Sequence, residues 1–188
     1  MDPSVTLQVA ATPSRPALVL RPWREEDIPA LVEAYRDPAL RRASSLVVDG
    51  EDSGLEWVRA EERGWTNGDR LAFAVLEEGA DGEWGSVVGN VVLKGVTPGK
   101  TSAEVGYWTA AHARGRAVAP RALDALTAWA FDVFAGDGLT TLELLHQTDN
   151  PASCRVAEKT GFALDGILPA SPPAYPNDGH VHVRRTGT

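Results

Sequence analysis

The feature that most restricts the fold of this chain is a strand–helix–strand unit over residues 103–146. Residues 103–109 read as a strand, and 139–146 as an apolar strand suited to the centre of a sheet. Between them Leu123, Leu126, Ala130, Val133 and Phe134 recur at helical spacing. Two strands joined through such a helix form a parallel pair with a right-handed crossover. The helix opens on Arg114-Gly115-Arg116-Ala117-Val118-Ala119-Pro120 and closes on Gly136-Asp137-Gly138. Pro120 falls in the first turn, where a missing N–H costs little. No acidic residue lies between Val105 and Leu123, although the chain as a whole carries a net charge of −8. A helix start offers unpaired N–H groups and a partial positive charge. The small residues here let a ligand come close to that backbone. This turn is suited to a diphosphate and points to an anionic cofactor.

The remaining segments complete an α/β pattern. Residues 1–16, with Pro3, Pro13 and Pro16, show no periodicity and read as a loose leader; 17–188 read as one domain. A short strand covers 18–20. Glu25, Glu26 and Asp27 then sit in a first helical turn, followed by Ile28, Leu31, Val32 and Tyr35 at helical spacing, and Asp37-Pro38 interrupts that helix. A second helix is predicted over 53–65. Strands at 71–77, 87–96 and 103–109 with short turns form an antiparallel meander. Asn150-Pro151 starts a last helix, with Lys159 in its final turn and Gly161 just past it. Strands follow at 162–168 and 180–185, separated by a proline-rich loop.

Composition narrows the function. Hydrophobic residues make up 43% and charged residues 23% of the 188, ordinary for a globular protein. A pI near 5.0 argues against nucleic-acid binding. No apolar run is long enough to span a bilayer, and Met1-Asp2-Pro3 does not begin a signal peptide. Cys154 is the single cysteine, which excludes an internal disulfide and a zinc finger and fits a cytoplasmic protein.

Three segments together carry a resemblance: Glu104-Val105-Gly106-Tyr107-Trp108, Ala113-Arg114-Gly115-Arg116-Ala117-Val118-Ala119, and Asn150-Pro151-Ala152-Ser153-Cys154-Arg155-Val156-Ala157-Glu158-Lys159-Thr160-Gly161-Phe162. In this order they resemble the GNAT superfamily of N-acetyltransferases, and within it the ribosomal-protein N-terminal acetyltransferases and their small-molecule-modifying relatives. The resemblance implies a three-layer fold with a mixed central sheet of about seven strands, about four helices and a V-shaped split between two parallel central strands. It implies acetyl-CoA as co-substrate and no metal. The loop is usually written Arg/Gln-x-x-Gly-x-Gly/Ala; Arg114 fills its first place and Ala119 its last, while Ala117 replaces the middle glycine. Alanine disfavours a positive φ, so binding is retained if the position is helical and weakened if it is left-handed.

By this resemblance, main-chain N–H groups over 116–119 (Arg116, Ala117, Val118, Ala119) hold the diphosphate, and Arg114 and Arg116 add charge-assisted bonds beside Gly115. The pantetheine arm lies along both central strands like an added strand. Acetyl transfer needs a neutral amine, although a free α-amine has a pKa of roughly 7.7–8.0. Glu104 is the candidate base, through a water; a salt-bridged strand carboxylate is the other reading. Backbone N–H groups near Tyr107, Trp108 and Thr109 are the candidate oxyanion donors. Asn150 contacts the pantetheine arm or caps its helix. Ala157 stands where many members carry a tyrosine acid; the N-terminal acetyltransferase group has a serine at the position of Ser153, and the resemblance makes Ser153 the candidate proton donor for the thiolate, its alternative being a capping hydroxyl. Trp57, Trp65 and the proline-rich loop are candidate walls of the acceptor site.

The expectation is an acetyl-CoA-dependent N-acetyltransferase working by direct transfer in a ternary complex, on a protein N-terminus or a small-molecule amine. The alternative is a non-catalytic acyl-CoA-binding module or sensor. Homodimers are common among similar proteins. Asp178, His180 and His182 could converge on one strand face, but the pattern reads as an ordinary exposed strand, and Cys154 as an inert helix cysteine.

Overall fold

Apolar side chains alternate along the strands in a way that requires cover on both faces of a sheet. Leu18, Leu20, Leu71, Phe73, Val75, Val91 and Leu93 enter one buried cluster. Their neighbours Val19, Ala72, Ala74, Leu76 and Val92 enter another. The computed structural model describes residues 4–43 and 47–187. The elements in chain order are β1 (Leu7–Val9), β2 (Leu18–Pro22), α1 (Ile28–Tyr35), α2 (Pro38–Ala43), α3 (Glu51–Asn67), β3 (Arg70–Glu78), β4 (Trp84–Lys94), β5 (Ser102–Thr109), α4 (Val118–Val133), β6 (Thr141–Gln147), α5 (Pro151–Lys159), β7 (Ala163–Leu168) and β8 (Gly179–Arg185). Eight strands form one sheet in the order β1-β2-β3-β4-β5-β6-β8-β7. Among the described residues only β5 and β6 pair in parallel, and the other strand pairs are antiparallel.

Leu123, Leu126 and Ala130 of α4 and Ala157 of α5 lie in the first cluster. Leu31 of α1, Leu40 of α2, and Trp57 and Val58 of α3 lie in the second. The result is the three-layer α/β architecture with helices on both faces. Two elements differ from the sequence reading. The segment expected to be a loose leader contains β1, which pairs with β2, and Val5, Leu7 and Val9 pack against the core. A strand this short shows no measurable periodicity, and its partner supplies the order. Asp37-Pro38 ends one helix and also starts α2: the Asp37 carboxylate accepts from Ala39 N at 2.9 Å, and proline suits a first helical position.

The junction of α3 with β3 is tight. A Cβ on Gly64 would come within 2.6 Å of the Arg70 carbonyl oxygen. Arg70 Nε donates to both oxygens of Glu61, at 3.0 and 2.8 Å. Glu61 is buried, and burial raises its pKa against the lowering effect of Arg70.

Candidate active site

The parallel ladder between β5 and β6 runs only from Ser102–Thr141 to Val105–Leu144. Beyond that pair β5 continues to Thr109 against β4, and β6 continues to Gln147 against β8. The sheet therefore forks, and among the described residues no strand lies between the facing edges of 106–109 and 145–147. Main-chain groups along such edges can pair with an extended ligand.

The turn after the β5 arm is built from unusual backbone. Gly115 has φ 77° and Ala117 φ 57°, ψ 31°. Ala117 is the only non-glycine with positive φ among the described residues. It is the N-cap of α4 and provides no side-chain cap. The helix thus begins with first-turn N–H groups that no capping side chain satisfies, on Val118 and Ala119. Both arginines of the turn are engaged: Arg114 forms an ion pair with Asp37, and Arg116 with Glu77.

Across the fork, α5 starts at a true N-cap: Asn150 Oδ1 accepts from Ser153 N at 3.2 Å. Ser153 is buried, at 9% exposure. Its Oγ accepts a hydrogen bond from the Tyr107 hydroxyl at 2.9 Å. Burial raises the Tyr107 pKa and the bond to Ser153 opposes that rise, so Tyr107 holds its proton at neutral pH. From the sequence, Tyr107 is expected to offer a backbone N–H and a side chain that serves as a core or pocket wall; the structure adds the hydroxyl contact to Ser153. The phase of Tyr107 with Ala103 and Val105, both in the α4–α5 cluster, was the signal that its side chain faces α5.

Glu104 lies one residue before the vertex of the fork. It pairs with Lys94 on β4 and shares a face with Gly106 and Trp108, opposite to that of Tyr107. Trp108 packs with Trp23 and Tyr35, at ring distances of 5.9 and 6.3 Å. Trp23 also meets Trp57 at 4.8 Å and donates through Nε1 to the buried Asn90 at 2.9 Å. Trp57 and Trp65, read as candidate acceptor walls, are 6% and 2% exposed. They are packing residues, and Trp65 lies against Phe73 and Trp129.

The histidines do not form an ordinary exposed strand face. His182 is 3% exposed, and His146, His180 and Cys154 gather around it. Asp178 is not part of this group: its carboxylate accepts from Ala170 N at 2.8 Å. Neither ring nitrogen of His182 meets a hydrogen-bond partner among the described residues, a loss that costs about 1–3 kcal/mol per buried polar group.

Among the described residues no helix is long and apolar enough to cross a membrane. Residues 17–163 match the profile of the GNAT acetyltransferase domain. RimJ of Mycobacterium smegmatis, in complex with CoA-disulfide, is similar over 97% of this chain and 88% of its own, with 22% identity and a TM-score of 0.81. RimL, a ribosomal alpha-N-protein acetyltransferase in complex with coenzyme A, is similar over 95% of this chain and 97% of its own, with 18% identity and a TM-score of 0.78. The microcin self-immunity acetyltransferase MccE, in complex with acetyl-CoA and AMP, is similar over 94% and 98%, with 15% identity and a TM-score of 0.74. At these identities the likeness is one of fold. No protein of curated function matches the sequence.

Proposed function

Because this chain belongs to the GNAT acetyltransferase family, we propose that it transfers an acetyl group directly from acetyl-CoA to a primary amine, on a protein N-terminus or a small molecule. The observation that carries this reading is the fork past Val105–Leu144, which opens beside a helix start with no capping side chain. The diphosphate rests on the N–H groups of the turn before α4 and the pantetheine arm lies between the two strands. The likeness to RimL, a ribosomal alpha-N-protein acetyltransferase, makes a protein N-terminus the first acceptor to test. Residues 17–188 together with β1 act as one domain, and the single cysteine suits a reducing, cytoplasmic setting.

The two faces of β5 divide the chemistry. Glu104 faces the layer of α1 and α3, and an amine arriving from that side loses its proton to Glu104 through a water. The nitrogen attacks the thioester carbonyl, and main-chain N–H groups of 107–109 receive the oxyanion. The C–S bond breaks as the nitrogen's second proton passes to water, and the sulfur takes a proton from Ser153, on the opposite face, which regains one from solvent once CoA leaves. The Tyr107 hydroxyl donates to Ser153 Oγ, so the serine's own proton is free to point at the sulfur. That bond also steadies the charge that develops on the serine oxygen.

The test is CoA release over a panel of amines and N-terminal peptides. Ser153→Ala should lower kcat about 100-fold, the lower end of acid–base contributions, with acetyl-CoA affinity unchanged. Glu104→Gln should lower kcat with acetyl-CoA affinity unchanged. Tight acetyl-CoA binding without turnover on any amine would favour a sensor instead. Absence of any heat with CoA would overturn both readings.

A further inference from the structure

A four-residue cluster lies between the sheet and α5, beside the acetyl-transfer groups but using none of their side chains. It contains His146 at the end of β6, His180 and His182 on β8, and Cys154 on α5. One ligand atom from each lies within 4.8 Å of all the others. His146 is opposite His180 in the β6–β8 register, and His182 is opposite Leu144. The even positions of both strands therefore face α5, where Cys154 stands. Cys154 Sγ is 3.5 Å from His146 Nε2 and 3.3 Å from His180 Nδ1.

We propose that His146, Cys154, His180 and His182 form a tetrahedral site for a divalent metal ion of the zinc type. Three imidazoles and one thiolate are a donor set that zinc favours, and four protein ligands leave no open position, as in a structural site. Bond lengths of about 2.3 Å to sulfur and about 2.0–2.1 Å to nitrogen, at tetrahedral angles, put S and N about 3.5 Å apart. The two Cys154 contacts match that edge. His146 Nδ1 lies 2.8 Å from the Gln147 carbonyl oxygen. That contact fixes the N–H on Nδ1 and turns Nε2 toward the sulfur, the outer bond that metal-bound histidines commonly make.

The buried His182 is the second, independent pointer. Both of its ring nitrogens are shielded from solvent and meet no hydrogen-bond partner among the described residues. A metal gives one of them a partner. His146, His180 and Cys154 are only partly buried, which leaves an entry path. Binding displaces the thiol proton: Zn²⁺ and Cys–SH give a Zn–S bond and one released H⁺, while the histidines bind as neutral imidazoles. The bound ion ties α5 to β6 and β8. The proposal does not depend on the acetyl-transfer reading.

The experiment uses the full chain, stripped with a chelator and titrated with Zn²⁺ or Co²⁺. The expected result is one metal per chain, one proton released per metal, and a Tm rise of roughly 5–10 °C at 100-fold excess over Kd. Co²⁺ should give the intense visible bands of a tetrahedral site and a thiolate charge-transfer band. Cys154→Ser should abolish the charge-transfer band and weaken Zn²⁺ binding at least 100-fold; His180→Gln should weaken it similarly. Both residues are partly exposed, so these variants are expected to fold, and metal-free Tm checks this. The unsubstituted chain also decides the question without them. Sub-stoichiometric Zn²⁺ with no change in Tm would overturn the proposal, as would affinity unchanged in Cys154→Ser.

Discussion

Replacing Ala117 with glycine should stabilise the protein. Ala117 has φ 57° and ψ 31°, where a Cβ crowds the following carbonyl at a cost of about 1–2 kcal/mol. Glycine removes that strain. It also returns about 0.4–1 kcal/mol to the unfolded chain as extra conformational freedom. The net gain is about 0.5–1 kcal/mol, or a Tm rise of about 1–4 °C for a chain of this size. The assay is a thermal melt with a denaturant midpoint as a second measure. Gly115, at φ 77° with open space around a built Cβ, is the converse control: Gly115→Ala should cost about 1 kcal/mol. The left-handed turn is already formed without a ligand, so CoA affinity of Ala117→Gly should stay within about threefold, well under 1.4 kcal/mol. A Tm equal to or below that of the unsubstituted chain would refute the strain argument. A tenfold gain in affinity would mean that the turn reaches this backbone only on binding.

Three other outcomes follow from named contacts. Trp23→Phe removes the donor to buried Asn90 and should cost about 1–3 kcal/mol, read as a lower denaturant midpoint with little change in m. Asp37→Asn keeps an oxygen for Ala39 N but discharges the partner of Arg114; CoA should bind about 3–10-fold tighter at low salt, with the gain shrinking as salt rises. Burial raises Glu61 above its ordinary 4.5, so the folded chain keeps that proton to higher pH than the unfolded chain. Its contribution to stability is therefore greatest below pH 4.5 and falls as pH climbs through the raised folded value. Denaturant midpoints over that range should drop more with rising pH in the unsubstituted chain than in Glu61→Gln.

Most of the fold was readable because its signals are local. Alternation in 71–77 and 103–109, the stripe from Leu123 to Phe134 and the Asn150-Pro151 cap each specify an element without reference to partners. What escaped depends on tertiary context. β1 exists because β2 offers it an edge, and α2 because Asp37 caps what Pro38 begins. In the candidate site, the turn before α4 was legible as composition, but not the left-handed backbone at Ala117 or the ion pairs that hold Arg114 and Arg116. The Tyr107–Ser153 bond joins residues 46 apart in sequence. The histidine cluster draws on β6, α5 and β8, and no spacing rule spans three elements. His180 and His182 share a strand face by alternation alone, but only the packing of α5 shows that the face is covered.

The position of α5 links these observations. A nine-residue helix is too short to be stable in isolation, so tertiary contacts set its position and rotation. Consecutive residues on a helix point about 100° apart. Ser153 turns toward the β5 arm and meets Tyr107, whereas Cys154 turns toward the β6 arm and meets His146, with His180 on β8 beyond it. The helix therefore bridges the fork, with one contact on each arm beyond the last paired residues. A ligand that enters between the arms must fit the width this bridge sets. A metal held by Cys154 would stiffen one side of it and leave the hydroxyl pair on the other as the adjustable contact. Because Ser153 and Cys154 are neighbours on one short helix, a rotation set at Cys154 also sets the side from which Ser153 meets Tyr107.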